Sequence, residues 1–337
     1  MSTKVCVYGA GAIGGWIGVA LGLAGCQVSA VARSSTLQVL QRNGWHIHRP
    51  DGSHGHITVT ATDQPAALGP QDLIVLAVKA PALPDVIAKI GPLIGPDTTI
   101  LAAMNGVPWW FLEGVSGTAR GATLHSVDPD GRIARALPSS RILGCAVHSS
   151  CALDAPGVVR QSFGNRLVLG ECDAPTSPRL QRWAGLLREA GIQVEESDYI
   201  QRDIWFKLWG NVTMNPISAL TGATTDRLLA DPQVLELVNA VMWEAKAVGA
   251  QLGITIDQDP EDRHAGTRKL GPFKTSMLQD LEANKPLEID TLIHAVHELG
   301  QLTHTPTPHT SALFGLVRLM AQTRGLYPSS PAAHATC

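Results

Sequence analysis

Lys4-Val5-Cys6-Val7-Tyr8-Gly9-Ala10-Gly11-Ala12-Ile13-Gly14 is the stretch that decides the fold. Lys4–Tyr8 is a short apolar run of strand character, and Ile13–Ala24 is small and apolar enough for a buried helix. Between them the chain spells Gly-x-Gly-x-x-Gly. In a chain with 33 glycines the triplet alone is weak evidence. Set between a strand and a helix it is strong, because each glycine then has a mechanical reason. Gly9 permits the tight turn, Gly11 lets a pyrophosphate approach the backbone, and Gly14 lets the helix pack closely on the strand. Ala12 and Ile13 open that helix, whose unpaired N–H groups and partial positive charge favour a phosphate. The same stretch, with Lys4 ahead and Ala30-Val31-Ala32 behind, imitates a signal peptide. Its many glycines and the lack of a basic lead-in favour the strand–loop–helix reading.

Outward from there, the first half alternates. Gln27–Ala32 is a second strand, Leu37–Asn43 a short helix, Asp72–Val78 an apolar strand, Pro84–Ile94 a helix and Thr98–Met104 another apolar strand. Trp45–Thr62 is a polar excursion with a hairpin expected around Asp51-Gly52. Such alternation predicts a parallel sheet covered on both faces, an α/β domain of the Rossmann-type, doubly wound kind. Runs at Gly144–Ser150, Gly157–Ser162 and Leu167–Gly170 should extend the sheet, and Pro175–Ala190 should close the domain with a helix. From Tyr199 strand signals vanish. Ile204–Met214, Pro232–Leu252, Thr267–Ala283, Glu288–Leu302 and Ser311–Thr323 carry helical periodicity, and Tyr327–Cys337 is a Pro/Ser/Ala-rich tail expected to fray. The expected division is therefore a nucleotide-binding domain over 1–198 and an all-α domain over 199–337.

The totals agree with two domains: the chain has 337 residues, and a domain takes roughly 150. With 45% hydrophobic and 16% charged residues it is a packed globular protein. A net charge of -3 argues against a nucleic-acid partner and gives no sign of a membrane surface. No run is long and apolar enough to span a bilayer. Cys6, Cys26, Cys145, Cys151, Cys172 and Cys337 show no CxxC spacing and read as reduced thiols of a cytoplasmic protein.

Three groups of residues point to chemistry. At the end of the second strand an NAD enzyme usually carries Asp or Glu for the ribose hydroxyl; here the chain reads Val31-Ala32-Arg33-Ser34-Ser35. Arg33 and the two serines suit a 2′-phosphate, so the expected cofactor is NADPH/NADP+. Lys79 and Asn105 each follow an apolar strand, where the ligand crevice of an open α/β sheet lies. Taken singly, a strand stop and an Asn-Gly turn explain them as well; two such ends together favour a ligand. Finally, Lys207, Asn211 and Asn215 are spaced i, i+4, i+8 on one face of a helix whose other residues are mostly apolar. Pro216 should end or kink that helix.

The run Trp205-Phe206-Lys207-Leu208-Trp209-Gly210-Asn211-Val212-Thr213-Met214-Asn215-Pro216 resembles the central motif of ketopantoate reductases (2-dehydropantoate 2-reductases). Ser276-Met277-Leu278-Gln279-Asp280 and Glu288-Ile289-Asp290 are similar to the family's later motifs, and the glycine loop, Val78-Lys79-Ala80 and Asn105-Gly106-Val107 match it in the same order. The resemblance implies NADPH-dependent reduction of a 2-keto acid, ketopantoate in pantothenate biosynthesis, on a Rossmann domain followed by a helical domain like that of 6-phosphogluconate dehydrogenases. It implies Lys207 as general acid, Lys79 and Asn105 as residues holding cofactor and substrate, Asn211, Asn215, Ser276 and Glu288 as substrate-binding, and Arg33 on the 2′-phosphate. A homodimer is one expected assembly. The chain departs from the family at Ala82, where a Gln is frequent, in Thr221–Arg227, which lacks an expected Asn, and in Asp128–Ser140, which reads as an added loop.

The chemistry also stands on its own terms. Hydride delivery to a ketone leaves an alkoxide that needs a proton and a positive charge beside it, and a lysine ammonium supplies both. Ser276 can donate to a substrate carboxylate, although Ser276 with Gln279 also fits a helix cap. Glu288 can read a substrate hydroxyl. His46, His48, His54 and His56 lack metal-ligand spacing, as do His294 and His297, so no metal is expected. The rival readings are a reductase of another branched 2-keto acid, a 6-phosphogluconate- or hydroxyacyl-type dehydrogenase, and a non-catalytic NADPH-binding or redox-sensing protein.

Overall fold

The computed structural model describes residues 2–328. The tail from 329 on, Cys337 included, lies outside them. The chain forms two compact units. One comprises the N-terminal segment to Gly114 together with Asp130–Ile204; the other comprises Val115–Pro129 together with the chain from Trp205 onward.

The first unit is built on a ten-stranded sheet: β1 (Lys4–Tyr8), β2 (Gln27–Val31), β3 (Trp45–His48), β4 (His54–Ile57), β5 (Thr60–Thr62), β6 (Gln71–Leu76), β7 (Ile94–Ala102), β8 (Ile142–Ala155), β9 (Val158–Glu171) and β10 (Gln193–Glu196). The order is β4-β3-β9-β8-β7-β6-β1-β2-β5, with β10 also on β9. From β5 through β1 to β8 every pairing is parallel, and β1, the strand before the glycine loop, lies inside this parallel run. The helix Ala12–Leu23 crosses over between β1 and β2. Gly15 and Gly18 let it press on Trp45: a Cβ at Gly18 would stand 2.9 Å from the indole. Val5, Val7, Ile17, Trp45, Val75 and Leu101 belong to one buried core.

Several elements differ from the sequence expectation, each for a physical reason. The hairpin around Asp51-Gly52 forms, pairing His46 with His56 and His48 with His54, but it joins the main sheet through β9. Thr60–Thr62, too short to carry a periodic signal, is the parallel edge neighbour of β2. The separate runs Gly157–Ser162 and Leu167–Gly170 are one strand, β9, whose Gln161 and Gly164 fall at register shifts of the β8–β9 ladder. Pro84–Ile94 shortens to a helix over Leu83–Ile87 and a 3-10 turn over Gly91–Leu93.

The second unit is helical, with no strand among its described residues. Its helix Ile200–Thr221, which begins in the first unit, runs through Pro216, so of the expected end or kink the end does not occur. Ile217, Ser218 and Ala219 beyond the proline are all buried, so packing carries the helix past one lost backbone bond. Pro232–Gln251 forms as expected, capped by the Asp231 side chain. The predicted helix Thr267–Ala283 is two, Pro260–Arg268 and Ser276–Glu282, because Gly271-Pro272 breaks it. Glu288–Leu302 becomes a π-helical turn, Asp290–His294, followed by the α-helix Ala295–Leu302. Pro308–Thr323 is the last helix. Against the expected division at 198/199, the first unit runs on to Ile204, and the segment Val115–Pro129 joins the helical unit. It is held in the helical unit by Ser116 N to Leu252 O (3.1 Å) and by His125 N and Ser126 N donating to the Glu298 carboxylate at 2.7 and 2.8 Å. No helix among the described residues is long and apolar enough to cross a membrane.

Candidate active site

In the first unit the glycine loop has the geometry its sequence calls for. Gly9 takes φ +107°, and a Cβ there would stand 2.6 Å from the carbonyl oxygen of Ala77. Gly11 precedes the helix Ala12–Leu23, and a Cβ on it would meet nothing within 4 Å. Its open side and the free N–H groups of a twelve-residue helix can receive a pyrophosphate.

Beyond the ends of β1 and β2 opens a pocket of about 220 Å³, lined by Tyr8, Gly9, Arg33, Thr36, Asp63 and Lys89 among others. Arg33, Ser34 and Ser35 are exposed at the start of the helix Ser34–Asn43. Arg33 Nη1 donates to Asp85 Oδ2 at 3.3 Å, with 67% and 70% of the side chains exposed, so this pair holds the guanidinium only weakly. Burial pushes the Tyr8 phenol up, so it stays neutral beside the pocket. A cation, two hydroxyls and a helix N-terminus together fit the 2′-phosphate of NADPH.

Lys79 and Asn105 occupy equivalent stations. Leu76 of β6 pairs with Ala102 of β7, and each residue stands three positions beyond its paired strand end. Both are half-buried, and Gly106, at φ +80°, makes the turn after Asn105.

In the second unit two tryptophans fix the helix that carries Lys207. Trp205 Nε1 donates to Ala245 O at 3.2 Å and Trp209 Nε1 to Met242 O at 2.7 Å, both on the helix Pro232–Gln251. Gly249 makes the room, since a Cβ there would stand 2.4 Å from Trp205 Nε1. With that face buried, Lys207 and Asn211 are half-buried and Asn215 is buried.

Ser276 is exposed at the first position of its helix, and Thr275 is the cap, accepting from Leu278 N at 3.3 Å. Gln279 donates to Lys274 O instead of closing a capping box, so the cap expected at Ser276 is displaced by one residue. Glu288 is half-buried between two ties to the C-terminal segment: Leu287 N to Leu326 O (3.2 Å), and Tyr327 Oη to Asp290 Oδ1 (2.5 Å). Arg263, which the sequence does not mark, lies against Phe206 and Gly210. Its signal is visible only in space, as a cation without an acid partner among the described residues.

The remaining candidates sit elsewhere. His46 and His56 both turn Nε2 toward the Asn43 carbonyl oxygen, at 3.1 and 3.0 Å. Among the described residues no group of three or more His, Cys, Asp or Glu is placed to hold a metal. The five described cysteines are not joined in disulfides, and burial pushes Cys6 to about 12 and Cys151 to about 11, so neither is a ready nucleophile.

Residues 5–174 match the family described as ketopantoate reductase PanE/ApbA, and residues 199–321 match its C-terminal domain. A 2-dehydropantoate 2-reductase of Mesorhizobium japonicum is 42% identical over 325 residues, covering 96% of this chain and 99% of the relative. The crystal structure of a candidate ketopantoate reductase from Ralstonia solanacearum is 54% identical, with a TM-score of 0.92, covering 97% of this chain and all of that one (100%). D-mandelate dehydrogenase, solved with NADH and anilino(oxo)acetate, shares the fold at 23% identity and a TM-score of 0.81, covering 96% of this chain and 100% of that one.

Proposed function

This chain belongs to the ketopantoate reductase family, and from that premise we propose that it reduces 2-dehydropantoate (ketopantoate) to pantoate with NADPH. The full-length identity to a 2-dehydropantoate 2-reductase carries this reading. Arg33 at the end of β2, with no acid beside it in the sequence, supports NADPH over NADH.

Bound NADPH supplies a hydride to the ketone carbon. The rest of the work falls to the chain. Gly9, Gly11, Ala12, Ile13 and Gly14 hold the pyrophosphate, and Arg33 holds the 2′-phosphate. Lys79 and Asn105 orient cofactor and keto acid. Lys207 gives its Nζ proton to the ketone oxygen as charge builds there, the adjacent Asn211 keeps that ammonium oriented without neutralising it, and Asn211 and Asn215 bind the substrate. Ser276 donates to the substrate carboxylate, and Glu288 accepts from its hydroxyl. The product is the 2-hydroxy acid: one hydride on carbon, one proton on oxygen.

We further propose that the enzyme is a cytoplasmic homodimer, which sedimentation of the purified chain tests. The activity is tested by following NADPH loss with a panel of branched 2-keto acids. Ketopantoate should give the highest kcat/KM. A higher value with 2-ketoisovalerate would assign the chain to another keto acid, and no turnover with any acid would overturn the reading.

A further inference from the structure

The helix Pro260–Arg268 lays one cation against the helix that carries Lys207. The Arg263 guanidinium carbon stands 4.9 Å from the centroid of the Phe206 ring. A Cβ on Gly210 would stand 3.1 Å from Arg263 Nε and 3.3 Å from Nη2, so the missing side chain at 210 gives the guanidinium its seat. Phe206 immediately precedes Lys207 and Gly210 immediately precedes Asn211, which puts this seat on the helix face next to the polar stripe.

Nothing among the described residues neutralises this charge. Burial is the sole influence on its proton affinity, pulling it below the ordinary arginine value with no acid to restore it. The acids of its own helix are engaged elsewhere: Glu261 pairs with Arg268, Asp262 accepts from Asp259 N at 3.0 Å, and Asp259 faces Lys246 Nζ at 3.4 Å. The Phe206 ring can satisfy one face of the guanidinium plane. The N–H donors, however, point outward in that plane, so stacking leaves the edge available for a bidentate acceptor. A half-buried cation without an anion is costly, and the cost is recovered when a ligand supplies the anion.

We propose that Arg263 binds the carboxylate of the 2-keto acid substrate. The proposal rests on the reductase reading above and adds to it the residue that carries the charge. In a 2-keto acid the carboxylate is bonded to the very carbon whose oxygen takes the Lys207 proton, so its anchor has to lie beside Lys207. Ser276 is a neutral donor; Arg263 supplies the countercharge. Stacking on Phe206 fixes the fork, and Gly210 keeps its seat clear.

The test compares 2-ketoisovalerate with its methyl ester, which keeps the ketone and removes the charge, alongside NADPH affinity by fluorescence. Arg263→Ala should raise KM for the acid on the order of 10- to 100-fold, the usual loss for a hydrogen bond to a charged group. It should lower kcat less, and leave kcat/KM for the ester and Kd for NADPH unchanged. Arg263→Lys should recover part of the loss, and added guanidinium should rescue the alanine variant. If Arg263→Ala does not fold, Gly210→Ala, which crowds the seat, should produce the same acid-specific defect. Equal losses on acid and ester, or a weakened NADPH Kd with an intact acid KM, would overturn the proposal. Wild-type turnover across the acid panel tests the reductase reading separately, because the acid-to-ester ratio is measured on whichever acid and matching ester the wild-type enzyme reduces.

Discussion

A Cβ on Gly14 would stand 2.2 Å from the carbonyl oxygen of Gly9. Backbone stands against backbone here, so nothing flexible can give way. Gly14→Ala should cost about 1–3 kcal/mol through overpacking, read as a lower melting temperature. Gly11 is the contrast, since a side chain there meets nothing in the protein. Gly11→Ala should melt like the wild type yet bind NADPH far more weakly, because the methyl group occupies the approach of the pyrophosphate. If Gly11→Ala binds NADPH normally, the loop does not hold the cofactor as proposed.

Arg33 and Asp85 make a prediction of opposite signs. Their exposed pair at 3.3 Å is weak, and a 2′-phosphate would compete with Asp85 for the guanidinium. Arg33→Ala should weaken NADPH binding on the order of 10-fold or more while hardly changing NADH. Asp85→Asn should tighten NADPH and leave NADH alone, since it removes both the competitor and a like charge. Isothermal titration with the two nucleotides decides; parallel losses for both would remove Arg33 from the 2′-phosphate.

Glu244 should set a pH-dependent share of the second unit's stability. Its carboxylate accepts from His309 N (2.9 Å), Thr310 N (2.8 Å) and Thr310 Oγ1 (2.7 Å) at the start of the helix Pro308–Thr323. Burial pushes its carboxyl up, but these donors outweigh burial and bring it below the ordinary 4.5. A lowered folded value means the stabilisation is complete above about the ordinary value and disappears as pH falls through the folded one. Glu244→Gln should therefore be less stable than the wild type at neutral pH, by about 2 kcal/mol, with the gap closing in acid. A gap independent of pH would show that the charge is not what caps the helix.

How far the sequence reaches depends on how local the cause is. The glycine loop, the strand ends at Lys79 and Asn105, and the stripe Lys207–Asn211–Asn215 are legible because loop, strand and helix each impose a short spacing. Thr60–Thr62 is not, because three residues have no period and only β2 makes them a strand. As a helix end Pro216 misleads, because burial of Ile217 and Ser218 overrides a local breaker. The cap at Thr275 differs from Ser276 by one residue, a choice of backbone angles that spacing does not encode. Arg263 is invisible in the sequence, since its meaning is that no acid among the described residues meets it in space.

Tyr327 and Asp290 should position Glu288. Tyr327 Oη donates to Asp290 Oδ1 at 2.5 Å, and His294 Nδ1 lies 3.0 Å from the same oxygen, within a π-helical turn of a kind that often marks functional sites. Burial and this hydrogen bond push the tyrosine far above its usual value, so it remains a donor across the physiological range. Tyr327→Phe should raise KM for ketopantoate with little change in kcat, and should spare 2-ketoisovalerate, which lacks the hydroxyl read by Glu288. Equal effects on the two acids would mean that the contact is structural only.

Lys207 is the residue on which the proposed chemistry turns. It projects from a helix fixed by Trp205 and Trp209 through hydrogen bonds of 3.2 and 2.7 Å, so its stem starts from a rigid base. Lys207→Ala should cut kcat by roughly two to four orders of magnitude, the usual range for a lost general acid. NADPH affinity should change little, because the glycine loop and Arg33 belong to the other unit. Lys207→Arg separates two roles: a guanidinium keeps the positive charge but does not give up its proton, so a charge-only role predicts recovery and an acid role predicts none. Added small amines should partly restore the alanine variant. A folded Lys207→Ala enzyme with near wild-type turnover would refute the assignment and move the proton donor to Lys79.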